Sequence, residues 1–200
     1  MIGILGGIGS GKSSVVRTVS SHNLHIIDAD KVGHKLLSDP AIRNQIRDQF
    51  GQDVFSDEQT IDRSLLAKRV FGDTPKHQTA RKQLNSILHP AIRRGIHSEI
   101  DSVSRDVDAV ILDAALLLEG GWDATCDWLI FVDTPEPLRQ QRVQENRGWS
   151  AGELSKREAT QWSIDAKKER ADFLVDNSGT IETAAAQMTQ IFISLLPTDS

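Results

Sequence analysis

The sequence lacks several features that would place it in particular classes of protein. No apolar run approaches the ~18–20 residues that a helix needs to cross a bilayer, so we expect no membrane partner. The single cysteine, Cys126, cannot form an internal disulfide, which fits a reducing cytosol. The first apolar run starts at Ile2 and leaves no room for a signal peptide. These absences predict a cytoplasmic protein, in which Cys126 is a small packing residue rather than a nucleophile.

The chain also lacks an excess of positive charge. Its formal net charge is −5 at pH 7, which argues against a broad nucleic-acid surface and predicts no nucleic-acid partner. Hydrophobic residues make up 38% and charged residues 26% of the chain, the balance of a folded globular protein. With 200 residues, the chain can bury the core of one domain that carries a lid.

What the sequence does contain is a phosphate-binding motif close to its N-terminus. Residues Gly6 to Ser13 read G-G-I-G-S-G-K-S and match the pattern G-x-x-x-x-G-K-[ST]. Glycines let the backbone approach a phosphate closely, and successive N–H groups then form a nest for anionic oxygens. Lys12 supplies a charge for the β- and γ-phosphates of ATP, and the Ser13 hydroxyl is placed to ligate Mg²⁺. The predicted nucleotide-binding residues here are Gly7, Gly9, Ser10, Gly11, Lys12, Ser13 and Ser14.

Short apolar runs alternate with helical patterns along the chain. This alternation predicts an α/β fold with a five-stranded parallel sheet flanked by helices. The strand-like runs are Ile2–Leu5, Leu24–Asp28, Val110–Asp113, Leu129–Val132 and Phe173–Asp176. The helical patterns between the second and third runs are Pro40–Phe50, Arg63–Phe71, Pro75–Leu88 and Pro90–Arg105. We therefore predict a core of residues 1–30, 106–138 and 171–200, a helical insertion over about 31–105 and a lid over about 139–170.

Carboxylates stand at or near the ends of two predicted strands, where phosphate sites form in parallel sheets. Asp30, just beyond the second strand, is the better candidate for a base that takes a proton from a substrate hydroxyl, and Asp28 is a candidate for a metal-shell or positioning role. The alternative for Asp30 is to cap a helix that starts at Lys31. Asp113 is expected near the metal, and Glu119 is expected to hold a lid or a substrate group. For these two the alternative is a plain acid at a helix start.

Two histidines are candidates for contacts with the substrate. His34 is expected in the substrate pocket or in packing. His89 precedes Pro90, which suits the start of a second helix, so His89 either caps that helix or faces the substrate.

The last third of the chain adds a basic segment and a polar loop. Arg142 is expected to stabilise charge on the transferring phosphoryl oxygens, whereas Arg139 and Lys168 are expected on solvated faces. Thr134 is expected to cap the helix that begins at Pro135. After the fifth strand, Asn177 and Gly179 are expected to shape an adenine pocket, with a simple turn as the alternative.

These motifs together resemble the dephospho-CoA kinase family over nearly the whole chain. The segments that carry the resemblance are Gly6–Ser13, Ile27–Asp30, Leu88–Pro90, Asp113–Glu119, Arg142, Gln161, Ala171–Asp172 and Asp176–Gly179. The resemblance implies a P-loop kinase fold with a helical CoA-binding domain and a mobile lid. It also implies transfer of the ATP γ-phosphate to the 3′-hydroxyl of dephospho-CoA, the final step of coenzyme A biosynthesis, with Mg²⁺ as cofactor.

The resemblance also implies roles for individual residues. Asp30 is then the general base, Lys12 and Arg142 stabilise the phosphates, and Ser13 is a magnesium ligand. The implied substrate residues are Asp30, His34, His89, Asp113 and Glu119.

The sequence departs from the family pattern at two places. Ala115 stands where the family has proline, and Asn146 stands where it has a second lid arginine, with Arg147 next.

Other functions agree with part of the same evidence. Another P-loop kinase would act on a nucleoside, a nucleotide or a shikimate-like alcohol, although the long helical insertion favours a larger substrate. A nucleotide-dependent switch is the alternative from another class, but the chain has no N-K-x-D guanine motif. We expect a monomer, although the sequence does not fix the oligomeric state.

Overall fold

The five apolar runs form the five strands of one parallel sheet. The computed structural model, which describes residues 1–72 and 74–196, orders these strands β2-β3-β1-β4-β5. They are β1 Ile2–Gly6, β2 Leu24–Asp28, β3 Ala109–Asp113, β4 Trp128–Asp133 and β5 Phe173–Asp176. Because every pairing is parallel, the carboxyl ends of all the strands lie along one edge. The predicted α/β fold with a five-stranded parallel sheet is confirmed.

Helices fill the connections between the strands. In chain order they are α1 Lys12–Arg17, α2 Ala29–Leu36, α3 Pro40–Phe50, α4 Arg63–Val70, α5 Pro75–Asp101, α6 Glu136–Arg147, α7 Ala151–Glu158, α8 Ile164–Arg170 and α9 Ile181–Leu195. The Ser150 side chain caps the start of α7, because it accepts a hydrogen bond from the Glu153 N–H. None of the helices in the described part of the chain is long and apolar enough to cross a membrane.

The chain divides into two compact units, 1–28 with 103–200 and 29–102. We call the first the α/β unit and the second the helical unit. In the α/β unit, strand residues such as Ile4 and Ile130 pack with Val16 of α1 and with Met188 and Phe192 of α9. Strands covered on both faces need apolar residues at nearly every position, which explains the unbroken apolar runs of the sequence.

The helical unit has a hydrophobic core of its own. Ile42, Ile46 and Phe50 recur every four residues along α3 and are all buried in it. The Asp39 side chain begins this helix by accepting hydrogen bonds from the N–H groups of Ala41 and Ile42.

Helix α5 runs without interruption through Pro90, so the predicted boundary between two helices is wrong. Proline lacks an N–H and crowds the preceding turn, which is why the sequence suggested a break there. Ala80 and Ala91, on either side of Pro90, are both buried in the core of the helical unit. We infer that this packing outweighs the local cost of proline. His89 therefore lies inside a helix and caps none.

Helix α2 begins at Ala29, directly after the last residue of β2. The predicted start at Lys31 is wrong, and Asp30 is not the residue that precedes the helix. Asp30 lies instead in the first helical turn, where a negative charge interacts favourably with the helix dipole.

The lone cysteine lies in the loop between β3 and β4, partly buried. Burial raises the pKa of the Cys126 thiol to about 11, so the thiol is protonated at neutral pH. This agrees with the prediction of a packing residue.

Candidate active site

The phosphate loop joins β1 to α1, and its backbone conformation requires glycine. Gly9 and Gly11 have φ angles of 78° and 79°, a region that other residues rarely adopt. A side chain at Gly9 would also place its Cβ 2.8 Å from the carbonyl oxygen of Arg139. These two glycines therefore fix both the path of the loop and its close approach to α6.

Lys12, Ser13 and Asp113 meet at the carboxyl ends of β1 and β3. The Lys12 Nζ lies 3.2 Å from Asp113 Oδ1, and the Ser13 hydroxyl donates a hydrogen bond to Asp113 Oδ2. Asp113 is only 5% exposed, and each of its oxygens has a partner. The structure thus brings together three residues that the sequence predicted for phosphate and metal binding. Asp28 lies opposite Asp113 in the register of β2 and β3.

The carbonyl oxygen of Ser10, within the phosphate loop, accepts three side-chain hydrogen bonds. Thr134 Oγ1 donates over 2.8 Å, Arg142 Nη1 over 3.1 Å and Asn177 Nδ2 over 2.7 Å. The predicted capping role of Thr134 is wrong, because its hydroxyl binds Ser10 and α6 begins at Glu136. The loop is therefore braced by residues that follow β4 and β5.

Arg142 and Asn177 also lie beside Gly11. A Cβ at Gly11 would be 3.2 Å from the Arg142 guanidinium and 3.0 Å from the Asn177 amide nitrogen. Asn177 is 1% exposed, and its backbone N–H donates to the Asp133 carbonyl over 2.7 Å. Its side-chain nitrogen is thus engaged with the loop, while Gly179 is exposed. Ser14 is exposed in the first turn of α1.

Arg139 is buried, so its predicted place on a solvated face is wrong. Its side chain donates to the carbonyls of Thr134 and Ile8 over 3.2 and 3.3 Å and pairs with Glu158. The signal that could have found it is its spacing, because Arg139 precedes the buried Val143 by one helical turn.

Lys168 was also predicted on a solvated face, and its side chain is 34% exposed. Its ammonium lies 2.7 Å from Asp133 Oδ2. Lys168 is therefore partly solvated and paired with a carboxylate.

Glu119, in the segment after β3, is bound to the residues around α8. Its Oε1 accepts a hydrogen bond from the Trp162 N–H over 2.7 Å and lies 3.4 Å from the Lys167 Nζ. Lys167 also donates to the Gln161 side chain over 2.8 Å. Burial lowers the pKa of Lys167 against the opposing effect of Glu119, and the charge of Lys12 lowers it further. Sequence reasoning placed Lys167 only in the basic segment after the fourth strand and gave it no role of its own, although Gln161 stood among the residues of the resemblance.

Asn146 stands where the family pattern has a second arginine, and Arg147 follows it. The Asn146 side chain donates to the Arg142 carbonyl of its own helix over 2.8 Å. The Arg147 guanidinium lies 4.8 Å from the centre of the Trp149 ring, and the Arg157 guanidinium lies 4.0 Å from the same centre. Arg147 is therefore held by an aromatic side chain.

The remaining candidates belong to the helical unit, and all are exposed. Asp30 and His34 lie four residues apart on α2 and so share a face of that helix. His34 Nε2 is 2.8 Å from the Arg63 Nη2. His89 lies on α5, which packs against α2. Desolvation and the neighbouring Arg93 charge lower the pKa of His89, which favours the neutral imidazole.

Comparisons with known proteins agree with this arrangement. The family model for dephospho-CoA kinase matches residues 1–183. A dephospho-CoA kinase from Shouchella clausii is 38% identical over 192 residues, covering 94% of each chain. One from Rhodopirellula baltica is 37% identical and covers 91% of this chain and 84% of its own. The crystal structure of TT1252 from Thermus thermophilus superimposes with a TM-score of 0.83 at 28% identity, covering 98% of this chain and 96% of its own.

The family match, the parallel sheet and the phosphate loop together confirm the predicted P-loop kinase fold. They also make the protein an ATP-dependent kinase. The chain belongs to the dephospho-CoA kinase family.

Proposed function

We propose that the protein transfers the γ-phosphate of ATP to the 3′-hydroxyl of dephospho-CoA, giving CoA and ADP. The observation that carries this proposal is the cluster of Lys12, Ser13 and Asp113 on the phosphate loop. That cluster lies within the 1–183 match to a single kinase family. The loop supports the use of ATP, and the family match supports the identity of the acceptor.

On the ATP side, the reaction needs positive charge where negative charge develops. The acceptor oxygen forms a bond to the γ-phosphorus while the bond to the bridging β-phosphate oxygen breaks. Lys12 and Arg142 stabilise the charge on these oxygens, and the N–H groups of the loop bind the phosphates. The bond from Arg142 to the Ser10 carbonyl supports this role, since it keeps the guanidinium at the loop.

Mg²⁺ fits the oxygen donors of this site. Hard divalent cations prefer hydroxyl and carboxylate oxygens, which Ser13 and the buried Asp113 present side by side. Ser13 would hold the ion directly, with Asp113 beside it. A bound Mg²⁺ neutralises charge on the β- and γ-phosphates. Lys12 and Ser13 keep the Asp113 carboxylate oriented toward that position.

On the acceptor side, Asp30 acts as the general base that takes the proton of the 3′-hydroxyl. Its position supports this role, because it is exposed and follows β2 by two residues, at the first turn of α2. His34, on the same face of α2, and His89 bind the acceptor. For Glu119, the contacts with Trp162 and Lys167 support the role of holding the lid.

The two parts of the chain outside the sheet then have separate roles. The helical unit is the CoA-binding domain, and residues 139–170, which include α7 and α8, are the lid. Asn177 and Gly179 border the adenine. The lone cysteine fits the reducing cytoplasm, where we place the protein as a monomer.

A coupled assay tests the acceptor directly. The purified full chain should release ADP with ATP and dephospho-CoA, and mass spectrometry should detect CoA in equal amount. Adenosine, other nucleosides and shikimate serve as control acceptors and should give little ADP. Faster turnover with one of these would overturn the proposed acceptor. ADP release that ignores every acceptor would instead indicate a nucleotide-dependent switch.

A further inference from the structure

Lys167 of α8 is a buried cation that the proposed transfer does not use. Its side chain is only 3% exposed. A buried ammonium group is costly unless it is paired, and Lys167 has two partners. It donates a hydrogen bond to Gln161 over 2.8 Å and lies 3.4 Å from Glu119. These two contacts therefore stabilise the buried positive charge of Lys167.

The partner carboxylate holds more than the lysine. The same Glu119 oxygen accepts the backbone N–H of Trp162, which precedes the start of α8 at Ile164. One oxygen thus fixes both the chain that enters α8 and a side chain within it. The other oxygen, Oε2, is buried and has no hydrogen-bond partner among the residues described. Because Glu119 belongs to the segment that follows β3, the pair ties α8 to the edge of the sheet that carries Asp113.

Helix α8 lies against the phosphate loop itself. A Cβ at Gly7 would be 2.8 Å from the end of the Ile164 side chain. The helix also packs on β1 and β4, which flank the loop. The positive charge of Lys12 also lowers the pKa of Lys167. Lys12 pairs with Asp113 and Lys167 with Glu119, so two lysine–carboxylate pairs flank the loop.

We propose that Lys167 is a positioning residue for ATP: paired with Glu119, it holds α8 against the phosphate loop and keeps Gly7 in its nucleotide-binding position. The inference rests on the proposed use of ATP but is independent of the acceptor. Loss of the lysine leaves Glu119 as a partly buried carboxylate without its cation, which loosens α8 and the loop beneath it. Loss of both charged groups removes that imbalance.

Calorimetric titration of the full chain with ATP, without any acceptor, measures this effect. Lys167→Met should weaken ATP binding about tenfold, and Lys167→Arg, which keeps the charge, should stay within about threefold of the original chain. Arg170→Met is the matched control, because Arg170 lies on the same helix and pairs with Asp123 over 3.0 Å, but is exposed. It should change ATP affinity by less than about twofold.

A double-mutant cycle separates positioning from a general loss of structure. Glu119→Gln should also weaken ATP binding, and the double variant Lys167→Met/Glu119→Gln should bind ATP no worse than Lys167→Met alone. Losses that simply add, or equal affinities for Lys167→Met and Arg170→Met, would overturn the proposal. If Lys167→Met does not unfold cooperatively on heating, the variant is not properly folded, and Glu119→Gln is then the variant that tests the proposal. Unchanged ATP affinity in Glu119→Gln would overturn it. Because no acceptor is present, an error in the proposed acceptor leaves this result intact.

In turnover, the same variants should show a difference between KM and kcat. Lys167→Met should raise the KM for ATP, while the KM for dephospho-CoA stays within about twofold of the original value. An increase confined to the KM of the acceptor would place Lys167 on the acceptor side and contradict the inference.

Discussion

The two units of this protein arrange their candidate functional residues in opposite ways. In the α/β unit, Asp113, Arg139 and Asn177 are buried, and each has a hydrogen bond or ion pair within the phosphate loop or its support. In the helical unit, Asp30, His34 and His89 are exposed on helix surfaces. Side chains of the first group are enclosed by the fold, whereas those of the second are accessible to a bound substrate.

This difference has a physical basis in what each unit binds. A triphosphate brings several negative charges, which are stabilised best by donors whose orientation is already fixed. A large acceptor supplies many contacts of its own and can order exposed side chains as it binds. We therefore expect substitutions in the α/β unit to affect ATP binding and stability together. Substitutions in the helical unit should affect the acceptor step and leave ATP binding intact.

Lys12→Ala should give the largest effect. It removes the charge that stabilises the transferring phosphoryl group and also leaves the buried Asp113 without its cation, so kcat should fall roughly a thousandfold. Steady-state kinetics with saturating ATP measures it. Lys82→Ala, at an exposed lysine of α5, is the control and should leave turnover unchanged. A Lys12 variant that retains a tenth of the original turnover would contradict the role given to this residue.

Asp30→Ala should give the next largest effect, and it tests the other side of the comparison. Removing a general base lowers kcat by about a hundredfold or more, while the affinity for ATP measured by calorimetry should not change. Asp48→Ala, at an exposed acid of α3, controls for the loss of one surface charge. Near-normal turnover would remove Asp30 from the mechanism. Weaker ATP binding would show that the two units are not independent in the way we expect.

The sequence predicts the strands and the phosphate loop better than it predicts contacts between distant residues, and the reason lies in the range of the forces involved. The strands of the α/β unit can be predicted from local apolar runs. The phosphate loop can be predicted from its glycines, because its backbone takes φ angles that other residues rarely adopt. The three hydrogen bonds to the Ser10 carbonyl come from residues far apart in the chain. No local sequence pattern predicts these contacts.

In the helical unit, local signals led to two errors. Pro90 predicted a helix boundary, but tertiary packing carries α5 through it. After β2 a helix start at Lys31 was predicted, but α2 begins at Ala29. Long-range packing thus overrides local propensity where a helix is held along its whole length, and this limits what the sequence can say about His89 and Asp30.

Asn177→Ala should moderately lower both the stability of the protein and its affinity for ATP. It removes one of the three donors to the Ser10 carbonyl from a fully buried site, which should cost about 1–2 kcal/mol of unfolding free energy. Urea denaturation measures this cost, and ATP affinity should fall severalfold in parallel. Thr134→Val removes a second donor with little change of shape and should act in the same direction. The exposed Ser178→Ala is the control. Lower stability with unchanged ATP affinity would mean that the bracing of Ser10 is structural only.

Pro90→Ala should have the smallest effect, and it concerns the helical unit alone. A proline inside a helix removes a backbone hydrogen bond and crowds the preceding turn, at a cost of about 3 kcal/mol relative to alanine. The fold has partly adapted to it, since Ala80 and Ala91 pack normally on either side. Alanine should therefore stabilise the helical unit by only about 1 kcal/mol.

The adjacent His89 provides the functional measurement for the same variant. Alanine supplies the backbone N–H that Pro90 lacks and relieves the crowding of the preceding turn, which alters the turn that carries this imidazole, so the KM for dephospho-CoA should rise severalfold while ATP affinity stays constant. Gln78→Ala, at an exposed position of the same helix, is the control for helix propensity alone. A loss of stability in Pro90→Ala would show that the packing of Ala80 and Ala91 depends on the proline. In that case the fold would fix the positions of the exposed residues of the helical unit as firmly as it fixes those of the buried residues around the phosphate loop.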